Sequence, residues 1–356
     1  MNVLTVVGNR PQFIKAAAVS APLRRSHDEL LIHTGQHFDE QLSGVFFDEL
    51  GLPSPDQELG ISRGSNSSQT ARMLAALAPV VREASPDVML VYGDTNSTLA
   101  GALAGAQACL PVVHVEAGMR SFDRTMPEEL NRVLADHAST LLLCSSDVAV
   151  SNLRQEGIAG AVELVGDVML DVALKVQPTA RARVDLVRAH GLSLGDYVLA
   201  TAHRPGNVDD PERLARLVEL LRAVPYEVLL PLHPRTHARL RAAGLLERLQ
   251  RTERLVVTAP LGYLEMTALL CHARAVITDS GGLQKEAYLA GIPCITLRTT
   301  TEWIETVQSG WNALVDLDIV AALEALELEP PAERPALYGD GHAAERVVDA
   351  ITLHLG

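Results

Sequence analysis

At 356 residues, with 47% hydrophobic and 21% charged side chains, the chain has the balance of a globular protein and the length for two domains, which excludes a fibrous or disordered polypeptide. A formal charge of −14 excludes an extended nucleic-acid surface, since phosphate backbones are gripped by clustered Lys and Arg, but it leaves room for a nucleotide-sized ligand held by a few local cations. No apolar run approaches the ~20 residues of a membrane span, so no membrane partner is expected.

The chain begins Met1-Asn2-Val3-Leu4-Thr5-Val6-Val7-Gly8, with neither a basic lead nor a cleavage site, so the expected compartment is the reducing cytoplasm. Cys109, Cys144, Cys271 and Cys294 lack metal-ligand spacing and read as buried free thiols. Short apolar runs at 3–7, 30–33, 88–92, 112–115, 141–144 and 162–165 alternate with helical patterns, and the same grammar restarts at 197–201, 227–230, 255–258, 275–278 and 294–297. Wholly apolar strands joined by helices predict α/β architecture: two Rossmann-like, doubly wound parallel-sheet domains. The expected boundary puts an N-terminal domain at 1–167 and a C-terminal one at 168–356, with the last helix packing back on the first domain. Ligands of such sheets sit outside the carboxyl ends of strands, so chemistry is sought there, in a cleft that the two domains face.

The first strand ends in Gly8-Asn9-Arg10-Pro11-Gln12-Phe13-Ile14-Lys15, placing two cations near a helix start. Arg10 and Lys15 suit the neutralisation of a diphosphate, or else are exposed helix-end cations. Three acids follow at comparable places: Asp94 after residues 88–92, Glu116 after 112–115, and Glu128 after Pro127. Asp94 also suits a helix N-cap and Glu128 a first-turn carboxylate, whereas Glu116 has no capping role. Carboxylates held close push one another's pKa values apart and so supply both an acid and a base. In the second half, Thr201-Ala202-His203-Arg204 and Pro231-Leu232-His233-Pro234-Arg235 each end a strand with a His near an Arg, a pairing that points to ligand contact. Asp279-Ser280-Gly281-Gly282-Leu283-Gln284-Lys285-Glu286 then runs from strand to helix: glycines admit a phosphate to the helix N-terminus, and Glu286 can accept from a ribose diol. The same turn also serves as a plain tight connection. His33, His37 and His114 lie on different segments, so no metal site is expected.

With these residues in hand, the chain resembles the non-hydrolysing UDP-N-acetylglucosamine 2-epimerases over nearly its whole length. The likeness rests on Gly8-Asn9-Arg10-Pro11 with Lys15, Thr34-Gly35-Gln36-His37, Gly93-Asp94-Thr95, His114-Val115-Glu116-Ala117-Gly118-Met119-Arg120, Pro127-Glu128-Glu129-Leu130-Asn131-Arg132, Thr201-Ala202-His203-Arg204, Ser280-Gly281-Gly282 with Glu286, and Thr301-Glu302. The resemblance implies a glycosyltransferase-B type fold, a homodimer, no cofactor, and reversible conversion of UDP-N-acetylglucosamine to UDP-N-acetylmannosamine for cell-surface polysaccharide precursors. UDP would leave by elimination to 2-acetamidoglucal and add back. Asp94, Glu116, Glu128 and His203 match the family's catalytic set, and the implied substrate contacts are Arg10, Lys15, Arg132, Arg204, His233, Leu261, Met266, Ser280, Gly281, Gly282, Glu286 and Glu302.

Two departures bear on substrate and regulation. His203-Arg204-Pro205-Gly206-Asn207 stands where the best-known members read His-Arg-Arg-Glu-Asn, so the second, activating UDP-N-acetylglucosamine site of some members does not follow from the resemblance. Thr301-Glu302-Trp303-Ile304-Glu305 with Gly310-Trp311-Asn312, and Arg10-Pro11-Gln12-Phe13-Ile14-Lys15, resemble instead the subgroup acting on UDP-2,3-diacetamido-2,3-dideoxyglucuronate. A retaining glycosyltransferase would share the fold and the Ser-Gly-Gly turn but needs no cluster of three acids. A non-catalytic nucleotide-sugar sensor would tolerate neutral residues in their place.

Overall fold

In a computed structural model, which describes residues 1–36 and 50–356, the apolar runs become two wholly parallel sheets. The first comprises β1 (Asn2–Val7), β2 (Asp28–His33), β3 (Gln57–Glu58), β4 (Val88–Tyr92), β5 (Val112–Ala117), β6 (Leu141–Cys144) and β7 (Ala161–Leu164), in the order β3-β2-β1-β4-β5-β6-β7. Every residue of β4 and β5 is buried, as a parallel strand covered by helices on both faces must be. Between β1 and β4 the strand order reverses, which opens a crevice at the carboxyl ends of the two strands.

The second sheet repeats the arrangement with β8 (Tyr197–Thr201), β9 (Glu227–Pro231), β10 (Leu255–Thr258), β11 (Ala275–Thr278), β12 (Cys294–Thr296) and β13 (Asn312–Leu314), in the order β10-β9-β8-β11-β12-β13. Its reversal lies between β8 and β11. The expected doubly wound α/β class therefore holds for both sheets. The short edge strands β3 and β13 were not anticipated, because two or three residues carry no periodic signature.

The chain forms two compact units, one of Met1–Leu174 with Ala336–Gly356 and the other of Lys175–Pro335. The closing helix Ala343–Leu355 belongs to the first unit, where it packs on helix Arg10–Ser26. Its first amides are capped by the Asp171 carboxylate, which accepts from Ala343 N at 3.1 Å and Ala344 N at 2.7 Å. Cys144, Cys271 and Cys294 are buried free thiols, and burial pushes Cys144 and Cys294 up to about 12. Cys109 corrects the expectation: it is exposed, in a turn with φ +57° just past helix Asn96–Gln107. No helix among the described residues is long and apolar enough to cross a membrane.

Candidate functional site

In the first unit, the crevice is built by a glutamine that the sequence reading left unused. Buried Gln12 accepts from Gly8 N at 2.8 Å and donates to the Tyr92 carbonyl at 2.9 Å, tying the end of β1 to the end of β4. The helix carrying it starts at Arg10, capped by Asn9 and with Pro11 in its first turn. Lys15, one turn further, is buried and ion-paired with Glu116.

Glu116 is the extra residue of a bulge in β5. Val115 pairs with Leu143 and Ala117 with the next residue, Cys144, so Glu116 is left over, at φ +68°. A bulge turns a side chain out of the regular alternation, and a non-glycine residue held in left-handed conformation marks stored strain. Gly93 supplies the room: it sits at φ +63°, and a Cβ there would lie 2.9 Å from Lys15 Nζ and 3.5 Å from Glu116 Oε1.

Asp94 does not cap the following helix; Thr95 does, accepting from Thr98 N at 3.3 Å. The Asp94 carboxylate pairs instead with Arg132 Nη2 at 2.5 Å, and Arg132 also lies 3.3 Å from Glu129. Asn131 donates to the Asp94 carbonyl at 3.0 Å. Glu128 is half-buried in the first turn of helix Pro127–Ala138. Behind these groups lies a network that is buried at His114, Asp136 and Arg120 and reaches the surface at Glu156. His114 meets Asp136 at 2.7 Å and the Gly93 carbonyl at 2.6 Å, Arg120 donates to Asp136 at 2.7 Å, and Glu156 accepts two bonds of 2.7 Å from Arg120. Burial presses the Asp136 carboxyl upward, but His114 and Arg120 beside it hold it below the usual carboxylate range. The Arg120 hydrogen bonds lower Glu156 as well. Thus Lys15 pairs with Glu116 and Arg132 with Asp94, while the reading in sequence missed Gln12, Asp136 and Asn131. A buried strand histidine such as His114 was the available signal, since it requires acceptors.

In the second unit, Asp279 at the end of β11 is fully buried and organises the end of β8, accepting from His203 N at 3.0 Å, Arg204 N at 3.0 Å and Asn207 Nδ2 at 3.1 Å. Ser280 caps helix Gly281–Ala290, leaving the glycine amides at its N-terminus. Gly282 and Glu286 lie four residues apart on one helix face, Gly282 exposed and Glu286 half-buried. Glu302 packs against Gly281 and pairs with Arg298 at 2.9 Å, with Arg204 at 3.8 Å. Trp303 donates to the Gly281 carbonyl at 2.9 Å, and Lys285 Nζ lies 4.1 Å from its ring centre.

His203 and His233 stack with ring centres 5.2 Å apart. His233 Nδ1 accepts from Arg235 N at 3.2 Å, so the other nitrogen carries the proton, and the Arg235 side chain turns to Asp209. Met266 is buried in the core with Leu283, and Leu261 packs against that cluster. His37 lies outside the described residues, among which no set of three His, Cys, Asp or Glu is placed to hold a metal.

A family model described as UDP-N-acetylglucosamine 2-epimerase matches residues 22–352. A UDP-N-acetylglucosamine 2-epimerase homolog of Methanococcus maripaludis is 43% identical over 99% of this chain and 99% of its own. A UDP-2,3-diacetamido-2,3-dideoxy-D-glucuronate 2-epimerase of Pseudomonas aeruginosa is 44% identical over 98% of this chain and 99% of its own. Among solved structures, the UDP-GlcNAc 2-epimerase of Methanocaldococcus jannaschii in complex with UDP-GlcNAc and UDP matches with a TM-score of 0.94 and 38% identity, covering 99% of this chain and 100% of that one.

Proposed function

Because the chain belongs to the UDP-N-acetylglucosamine 2-epimerase family, we propose that it interconverts UDP-N-acetylglucosamine and UDP-N-acetylmannosamine without hydrolysis. The observation that carries this proposal is the buried Lys15–Glu116 pair at the strand-order reversal, with Glu116 aimed by a bulge. A binding module needs no strained carboxylate held by a buried cation.

Hydrogen at carbon 2 of the sugar is not acidic, so departure of UDP must lead. The bond between carbon 1 and the phosphate oxygen breaks with its electron pair going to UDP, and a carboxylate takes the proton from carbon 2, leaving 2-acetamidoglucal. Return of a proton to the opposite face, with the UDP oxygen re-forming the bond at carbon 1, gives the epimer. We assign the proton transfers to Asp94, Glu116 and Glu128 acting as a coupled set. The growing charge on UDP falls to Ser280 and the amides of Gly281 and Gly282 together with His203, Arg10 and Lys15. Glu286 takes the ribose, and Arg132, Arg204, His233, Leu261, Met266 and Glu302 complete the substrate contacts.

A second sugar has its own support. The Pseudomonas aeruginosa relative and the Thr301–Glu305 stretch favour UDP-2,3-diacetamido-2,3-dideoxyglucuronate. Incubation in heavy water decides: deuterium at carbon 2 of UDP-N-acetylglucosamine supports the first assignment. Deuterium in the uronate alone moves it to the second, and none in either ends the epimerase proposal. We further propose a cytoplasmic homodimer supplying precursors of cell-surface polysaccharide, to be checked by sedimentation at the mass of two chains.

A further inference from the structure

A buried charge network takes no direct part in the proposed chemistry, yet it brackets the residue at its centre. Both ring nitrogens of His114 are engaged, one by Asp136 Oδ1 and the other by the Gly93 carbonyl. A carbonyl only accepts, so the ring nitrogen facing Gly93 donates, while the other meets the Asp136 carboxyl. Asp136 Oδ2 accepts from Gly118 N at 3.2 Å and from Arg120 Nη1 at 2.7 Å. The pair therefore grips the chain two residues before Glu116, within β5, and again two residues after it, just past the strand. Through Gly93 it also fixes the turn against which Lys15 and Glu116 meet.

Arg120 joins the buried Asp136 to Glu156, which lies at the surface. Stability alone does not account for this choice, because apolar side chains of like volume commonly serve as well or better than a buried ion pair. What such a pair adds is direction: charged hydrogen bonds of fixed length hold both flanks of a strained bulge. We propose that His114 and Asp136 are positioning residues of the epimerase reaction, holding the Glu116 bulge and the Gly93 turn in reactive geometry without touching the sugar; this rests on the activity proposed above.

Two measurements test the proposal. In protein labelled with ¹⁵N-histidine, with His114→Gln used to assign the signal, the His114 ring N–H facing the Gly93 carbonyl is expected to be hydrogen-bonded and slow to exchange with solvent; a freely exchanging ring N–H would overturn it. In turnover, His114→Gln and Asp136→Asn are each expected to lower kcat about a hundredfold, with KM and UDP affinity held within about twofold, because misplacement of a reacting group costs rate rather than binding. An unchanged kcat in either folded variant, or a rise in KM that accounts for the loss, would overturn it. Val3→Ala, a core change in β1, serves as the control for destabilisation alone: an equal fall in kcat at an equal fall in thermal midpoint would reduce the pair to scaffolding. If the wild type turns over neither sugar, the proposed activity itself fails. Turnover that survives both substitutions defeats this inference alone.

Discussion

Glu116 is held where an ordinary strand residue would not be, and its neighbours explain how. The left-handed backbone costs on the order of 1 kcal/mol and persists because Lys15, Gly93 and the His114–Asp136 pair surround it. Glu116→Gln keeps shape and burial while removing the ionisable group, so turnover should fall by about a hundredfold or more. UDP affinity measured by calorimetry should stay nearly constant; its collapse would make Glu116 a ligand or scaffold residue. Gly93→Ala tests the same site from the backbone. A methyl group at φ +63° is strained and stands 2.9 Å from Lys15 Nζ, so about 1 kcal/mol or more of stability should go. The Lys15–Glu116 pair should open with it, and kcat should drop while the second unit keeps its UDP. Normal kcat in Gly93→Ala would show that the pair tolerates displacement.

At the level of elements, helix Gly281–Ala290 separates two roles that adjacent glycines share in sequence. A Cβ at Gly281 would collide with the Glu302 carboxylate, whereas one at Gly282 would find only Ser280 Oγ at 3.9 Å. Gly281→Ala should therefore disturb the fold around Glu302 and lower both thermal midpoint and UDP affinity. Gly282→Ala should leave the midpoint unchanged and weaken UDP at least about tenfold, by blocking close approach of phosphate to the amides. Equal UDP affinity in Gly282→Ala and wild type would remove this turn from the binding site. Much of this was legible from residues: the apolar run before Asp279 and the glycines after it define strand, turn and helix. The partners were not. Lys15 meets Glu116 across 101 residues and Arg132 meets Asp94 across 38, and spacing along a helix carries no sign of a partner on another strand.

Across the whole molecule, acid and truncation bear on different parts. Asp136 and Glu156 are held below their ordinary values of 3.8 and 4.5, so the native state binds fewer protons there than the unfolded chain does. Their stabilisation is complete above the ordinary carboxylate values and is lost as pH falls through the lower native ones. Urea midpoints should thus decline below about pH 4, and Asp136→Asn, less stable at neutrality, should show a shallower decline. A parallel decline in the variant would place the acid sensitivity elsewhere.

The closing helix offers the sharper test of how the chain is partitioned. Residues 336–356 come last in the sequence but belong to the unit that starts it, where Val347, Val348 and Ile351 are buried and Asp171 caps the helix start. Burying side chains of this kind stabilises by about 1.5–3 kcal/mol each, a large share of a domain's margin. A chain ending at Pro335 should therefore lose stability in the first unit, with helix Arg10–Ser26, which bears Arg10 and Lys15, exposed along the face it lost. The second unit contains none of the deleted residues, so it should keep its thermal transition and its affinity for UDP. Hydrogen exchange resolves the two: faster exchange is expected in β1 and Arg10–Ser26, with β8 and β11 unchanged. Equal acceleration in both sheets would mean that the helix stabilises the molecule as one cooperative body, and that the units in sequence are not the units of folding.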